Sequence, residues 1–232
     1  MTTPAFVSWS GGKDSALALY RAQALGLEVR AVLTMLEETG QRSRSHAVPR
    51  EVMQAQADAM GVELVTACAS WADYEAVFVA TAKLLAARGF THGVFGDIDL
   101  QAHRDWEEKV CAAAGVTPVL PLWHNSRHSV AAAVLELGFR AKIVCVNGRY
   151  LDASFCGREY EQAFVDALPS NVDVCGENGE FHSFVYDGPI FQRPVPVQVA
   201  KRHTYVAPAN QGGDTFYFAE LSTDSRRSAT GL

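Results

Sequence analysis

Between residues 5 and 146 the chain alternates short, unbroken apolar runs with longer runs whose apolar residues recur every three to four positions. The short runs, residues 5–9, 29–35, 63–68, 93–95, 119–123 and 141–146, have the length and content of strands. The intervening stretches read as helices. One carries Leu17, Tyr20 and Ala24 on one face and stops at Gly26; the next runs from Pro49 to Met60 and stops at Gly61. Tyr74, Val77, Phe78, Leu84 and Leu85 mark a third, closed by Gly89; Trp106, Val110 and Ala113 mark a fourth; Val130, Ala133, Val134 and Leu137 a fifth. Strands that are apolar throughout must be covered on both faces. Repeated strand–helix alternation does this by wrapping helices around a parallel sheet. The expected fold is therefore α/β, a parallel sheet with helices on both faces, over residues 1–147.

Near Asn147 the pattern changes. Residues 159–168 read as a helix, and Gly- and Pro-punctuated β-rich runs follow: FHSFVYDGPIF, PVPVQVA and DTFYFAEL. We expect an appended α+β region over 148–232, packed on the first part because no linker separates the two, with a frayed polar tail, DSRRSATGL. A chain of 232 residues, 48% hydrophobic and 20% charged, can bury a sizeable core. A net charge of -6 argues against broad binding to nucleic acid or membrane surfaces. No apolar run approaches the ~20 residues that span a bilayer, and the opening MTTPAFVSW lacks the basic and apolar regions of a secretory signal. The five cysteines form no C-x-x-C pair, which fits reduced thiols in a cytoplasmic protein.

The chemistry-bearing stretch is AFVSWSGGKDSALALY, residues 5–20. It is not the P-loop of ATPases, because Val7 stands where that motif needs its first glycine and Asp14 follows Lys13. The mechanics are still those of a phosphate cradle. A strand ends, Gly11 and Gly12 allow close backbone approach, and a helix begins whose free N–H groups and positive dipole end favour an anion. Lys13 adds a point charge, Ser10 and Ser15 add hydroxyls, and Asp14 can cap the helix or reach a magnesium ion through water. The structural alternative is a tight strand-to-helix turn with a capping Asp.

SGGKDS resembles the signature of the N-type ATP pyrophosphatases, the PP-loop proteins with an adenine-nucleotide α-hydrolase-like fold. That resemblance implies binding of ATP with Mg2+ and cleavage between the α and β phosphates, through an adenylated intermediate. Three further stretches, RSHAVPREVMQAQADAMGVELV, GVFGDIDLQAHRDWEEKVCAAAGVTPVLPLW and CGENGEFHSFVYDGPIF, are similar to the branch that contains diphthine–ammonia ligase, over about residues 5–192. The implied reaction consumes ATP and ammonium and amidates a carboxylate acceptor, in that branch carried on a translation elongation factor. The wording ENGEFHSFVYDGP is similar to bacterial members, for which another, small carboxylate is the expected acceptor. A tRNA-modifying PP-loop protein and a non-catalytic ATP-binding module are the rival readings. A homodimer is the expected assembly.

The resemblance makes Asp97 a nucleotide contact, with a helix-initiating Asp as the structural alternative. It makes Arg104 a ligand for phosphate or carboxylate, against an ordinary i,i+4 pair with Glu108. Glu177 and Glu180, on a Gly-rich turn, can bind ammonium, orient magnesium or accept a proton, with Asn178 and His182 beside them as substrate contacts. Lys13, Asp14, Glu177 and Glu180 are the catalytic candidates. His46 and His182 each read equally as site or strand histidines, Trp106 reads as core, and Cys175 is not needed as a nucleophile.

Overall fold

The computed structural model of the chain describes residues 2–208 and 213–223. The tail 224–232, expected to fray, lies outside the described residues. Five strands form the first sheet: β1 (Thr3–Ser8), β2 (Leu27–Leu36), β3 (Glu63–Cys68), β4 (His92–Val94) and β5 (Thr117–Val119). They are all parallel, in the order β3-β2-β1-β4-β5. Five helices, α1 (Lys13–Ala24), α2 (Arg50–Met60), α3 (Tyr74–Ala87), α4 (Gln101–Ala114) and α5 (Arg127–Glu136), accompany them, as the alternation predicts.

The apolar side chains divide by strand period. On β1, Ala5 and Val7 join the cluster built with α1, α2 and α5, while Phe6 points to the other face with Phe78 of α3 and Val110 of α4. Helices thus cover both faces. Among the described residues, no helix is long and apolar enough to cross a membrane.

The second sheet is antiparallel, in the order β7-β6-β9-β8, from β6 (Arg140–Asn147), β7 (Phe181–Asp187), β8 (Val197–Val206) and β9 (Thr215–Thr223). The run at 141–146, expected as the last strand of the first sheet, is therefore the core of β6, paired with β7 and β9. An apolar run records burial on two faces but not which sheet supplies its edges. Two other elements are displaced. Residues 121–124 turn away after the short β5, where Trp123 N–H donates to Leu120 O at 3.2 Å and Pro121 has no N–H for a ladder. The helix expected over 159–168 shrinks to α6 (Gln162–Asp166), because Glu159 and Tyr160 run extended along β6, with Tyr160 N–H donating to Ala141 O at 2.7 Å.

The second sheet packs on the α1/α2/α5 side. Phe181, Phe184 and Val185 of β7 belong to the same apolar cluster as Leu17 and Met53. Gln56, fully buried on α2, ties the two parts together. Its amide nitrogen donates to Gly11 O at 3.1 Å and to Val185 O at 2.5 Å, and its oxygen accepts from Trp9 Nε1 at 2.8 Å.

Candidate active site

The strand order reverses between β1 and β4, so the chain leaves these neighbouring strands in opposite directions and a crevice opens beyond their carboxyl ends. A cavity of about 560 Å3 lies there. Its walls are the phosphate loop after β1, the segment 95–107 after β4, the loop 43–46 after β2, and the turn 175–183 brought in by the second sheet.

Three glycines make room for close neighbours. Gly11 has φ +81, in the region that disfavours side chains. A Cβ on Gly12 would lie 2.9 Å from the His46 ring, and one on Gly96 would lie 2.9 Å from both Asp14 C and Ser15 N. The last contact presses the β4 loop against the first turn of α1. Within the loop, Ser10 Oγ accepts from Gly12 N–H at 3.2 Å, and Ser15 Oγ donates to Gly12 O at 3.0 Å. From β7, Ser183 Oγ accepts the Lys13 N–H at 3.2 Å, so one of the unpaired amides of α1 is capped by the second sheet.

Lys13 is only 2% exposed. Its ammonium donates to Asp14 Oδ2 at 2.7 Å and to Cys175 O, and lies 5.7 Å and 5.6 Å from the ring centres of Tyr160 and Phe181. Burial, the largest influence, would discharge it, but Asp14 together with Cys175, Tyr160 and Glu177 outweighs burial, so its pKa is raised and it stays charged. Burial also raises the Asp14 carboxyl, against the pull of Lys13. Asp14 Oδ1 is buried at the cavity wall without a partner. Glu177 faces the same cavity, and burial, then the Asp14 charge, push its carboxyl up to about 7.

Across the crevice Asp97 accepts from His103 Nδ1 at 2.6 Å. Burial works to raise Asp97, but hydrogen bonds from His103 and Glu107 prevail and hold it below the usual carboxylate range. Glu107 is 2% exposed; burial and the bond to Asp97 push its carboxyl up to about 11, so at neutral pH it is an acid donating to Asp97. Sequence reasoning missed Glu107, although the His103–Glu107 spacing of four on a helix after GDIDL placed both on one face. Trp106 lines the cavity and also packs against Phe78, with ring centres 5.1 Å apart.

The turn 175–183 divides its residues between cavity and scaffold. Glu180, 1% exposed, is not on the cavity wall: it accepts from Asp173 N–H at 3.1 Å and from Asn178 N–H and Nδ2 at 2.9 Å each. Asn178 is exposed and closes this turn rather than facing the cavity. His182 does face it, stacked on His46 with ring centres 4.5 Å apart. Burial lowers both imidazoles, His182 to about 4, so they are neutral bases. Arg104 lies off the cavity, bonded to Glu108 Oε1 at 2.7 Å and set over Trp123. Arg127, also unforeseen, grips Asp99 with two bonds of 2.8 and 2.9 Å and Asp173 at 3.0 Å, tying the β4 loop to the turn. The Cys175 thiol is pushed up to about 12 by burial and is no ready nucleophile.

The geometry agrees with what the chain is similar to. Residues 3–118 match a model of the diphthamide synthase N-terminal domain, and residues 126–209 match one of the diphthamide synthase C-terminal domain. Diphthine–ammonia ligase of Rattus norvegicus is 24% identical over 226 residues, covering 86% of this chain and 85% of the rat protein. The protein of the same description from Bos taurus is 26% identical over 124 residues, 51% of this chain and 46% of the bovine one. Among solved structures, a predicted subunit of tRNA methyltransferase from Methanocaldococcus jannaschii aligns with 14% identity and a TM-score of 0.44, over 83% of this chain and 100% of that chain. Matched by both domain models over most of its length, the chain belongs to the diphthamide synthase family.

Proposed function

We propose that the chain is an ATP-dependent, AMP-forming ligase that adenylates a carboxylate and amidates it with ammonia. One observation carries the reading: in a chain of this family, a phosphate-cradling loop and an acidic, Gly-rich turn from a second sheet meet on one cavity. The acceptor we propose is a diphthine-type carboxylate, as in the names of the rat and bovine relatives, and the family resemblance supports placing it on a translation elongation factor. A small carboxylate is the alternative. We also propose that residues 1–147 carry the nucleotide and residues 148–232 the acceptor side, with β6 as the strand through which the two parts are joined.

In this reading a carboxylate oxygen attacks the α phosphorus of ATP. The bond from that phosphorus to the oxygen bridging to the β phosphate breaks, and pyrophosphate leaves with the electron pair. Ammonia then attacks the acyl carbon, and AMP departs. The first turn of α1 and the charge of Lys13 favour the departing pyrophosphate. Magnesium fits Asp14, whose buried Oδ1 lacks a partner. No group of three metal-binding side chains occurs among the described residues, which suits an ion held by one carboxylate, substrate phosphates and water. Bound there, magnesium would offset phosphate charge. Ammonium must shed a proton before it can attack. Glu177, with its carboxyl at about 7, is ionised just where such a base is needed. The buried neutral histidines and the aromatic walls keep water from the adenylate.

The test is product analysis with ATP labelled on the α phosphate, together with magnesium, ammonium and either diphthine-bearing elongation factor or a panel of small carboxylates. Labelled AMP that appears only with an acceptor is expected. A protein that binds ATP yet never forms AMP above the acceptor-free control refutes the reading.

A further inference from the structure

The cavity is sorted by charge. The phosphate loop, the β4 loop and the turn 175–183 present Asp14, Asp97 and Glu177, whereas the loop after β2 presents none. Among the described residues on the wall, only two side chains carry permanent positive charge, Lys13 and Arg44. Lys13 belongs to the phosphate loop, where it donates to Asp14 and the Cys175 carbonyl.

Arg44 is in a different position. Its side chain is only 7% exposed, yet its Nε is buried with no partner. The Nη2 nitrogen donates to Ala69 O and, at 2.5 Å, to Glu38, whose own side chain is 62% exposed. The guanidinium lies 5.0 Å from the ring centre of Trp71, a side chain at the cavity rim that is 68% exposed. Stacking holds the planar group in orientation while leaving its edge for a ligand. A buried donor without an acceptor is costly, and an exposed carboxylate such as Glu38 is a weak partner, easily displaced. The arrangement calls for an oxyanion. A planar fork matches a carboxylate with two parallel bonds.

We propose that Arg44 anchors the carboxylate of the acceptor, on the loop after β2 and apart from the loops that carry the acidic side chains. The proposal rests on the ligase reading and names the residue that selects its acid substrate. It also separates the reactants by charge. A carboxylate would be repelled by Asp14, Asp97 and Glu177 and drawn to Arg44, whereas ammonium would be drawn to those acids and repelled by Arg44. The carboxylate would then reach the α phosphate from the Arg44 side, and ammonia would reach the acyl carbon of the resulting adenylate from the side of the acids.

The experiment reads the arginine Nε–H resonances of the full chain labelled with 15N-arginine, with Arg44 assigned from the peak lost in Arg44→Lys. The probes are α,β-methylene-ATP, acetate, and acetamide as the uncharged isostere. We expect the Arg44 peak to move saturably with acetate, more strongly once the nucleotide analogue is bound, and to ignore acetamide. A peak that moves with the analogue alone and no further with acetate overturns the proposal in favour of a phosphate contact. A peak unmoved by acetate, with or without analogue, overturns it outright. No turnover is needed, so a chain that never forms AMP would sink the ligase reading and leave the acetate result to decide Arg44.

Discussion

Glu177→Gln separates the cost of a buried charge from its proposed use as a base. Burial, reinforced by Asp14, places the Glu177 carboxyl at about 7 in the fold, against 4.5 for a free glutamate. Between those values the folded protein keeps a proton that the unfolded chain has lost. Stability therefore falls as pH rises through this window, and above it the full cost remains. At ~1.36 kcal/mol per pH unit, the displacement bounds that cost at ~3.4 kcal/mol. Glu177 keeps an edge toward the open cavity, and screening by water there reduces the figure to about 1–2 kcal/mol. Glutamine has the same shape and never ionises. Without nucleotide at pH 8, the variant is expected to be more stable by that amount, a rise of about 2–8 °C in Tm for a chain of this size. Below pH 4.5 the two proteins should coincide. Urea denaturation at intervals from pH 4.5 to 8.5 reads the difference directly, and amide formation should fall by roughly 100-fold in the variant with loss of the pH limb near 7. A variant that is no more stable at pH 8, or whose advantage is the same at every pH, refutes the account of Glu177 as a buried, strained charge.

Gly96→Ala places a methyl group 2.9 Å from the backbone of Asp14 and Ser15, so the phosphate loop must shift. ATP affinity by calorimetry should drop at least about 10-fold with unchanged circular dichroism, and an unaltered affinity would show that this contact does not shape the cradle. Lys13→Met leaves the Asp14 carboxylate unpaired in a buried site and should cost about 3–5 kcal/mol in urea denaturation as well as weakening ATP binding. Adding Asp14→Asn should restore most of the stability but not the binding, and a double variant as unstable as the single one would refute the pairing argument. Arg127→Lys replaces a two-pronged grip on Asp99 with a point charge. Turnover should fall more than ATP affinity, and equal losses in both would mean that Arg127 does not act by holding the loops together.

The layers of the fold were readable because parallel strands buried on both faces leave unbroken apolar runs and helices leave a 3.6-residue period. Each of the five helical stretches before residue 140 is a helix in the structure. Where periodicity carries no information about partners, reading failed. The run at 141–146 is equally apolar in either sheet, and only the β7 and β9 pairings decide its place. The site shows the same division. SGGKDS advertises its loop through local backbone requirements, glycines and a helix start, and the structure sets it at the switch point. Arg104 and Arg44 are both arginines near a motif, and the i,i+4 acid Glu108 is the local feature that separates them. Each lies over a tryptophan, but Glu108 holds Arg104 off the cavity, whereas Arg44 lines it. Glu180 likewise differs from Glu177 only by the backbone amides that its turn directs at it.

What makes the loop a site rather than a turn comes from far along the chain. The Lys13 amide is capped by Ser183, 170 residues away, and its ammonium is held by the carbonyl of Cys175, 162 residues away. Gln56 reaches 129 residues to Val185 while holding Gly11. A lysine buried to 2% exposure is tolerable only with these partners in place. The phosphate loop therefore acquires its native geometry when the second sheet docks, and the same docking delivers Glu177 and His182 to the cavity. The geometry of the proposed nucleotide loop and the presentation of the acidic turn are thus consequences of one packing event. A substitution in the turn 175–183 that loosens this interface should be felt at the phosphates, although no residue of the turn belongs to the phosphate motif.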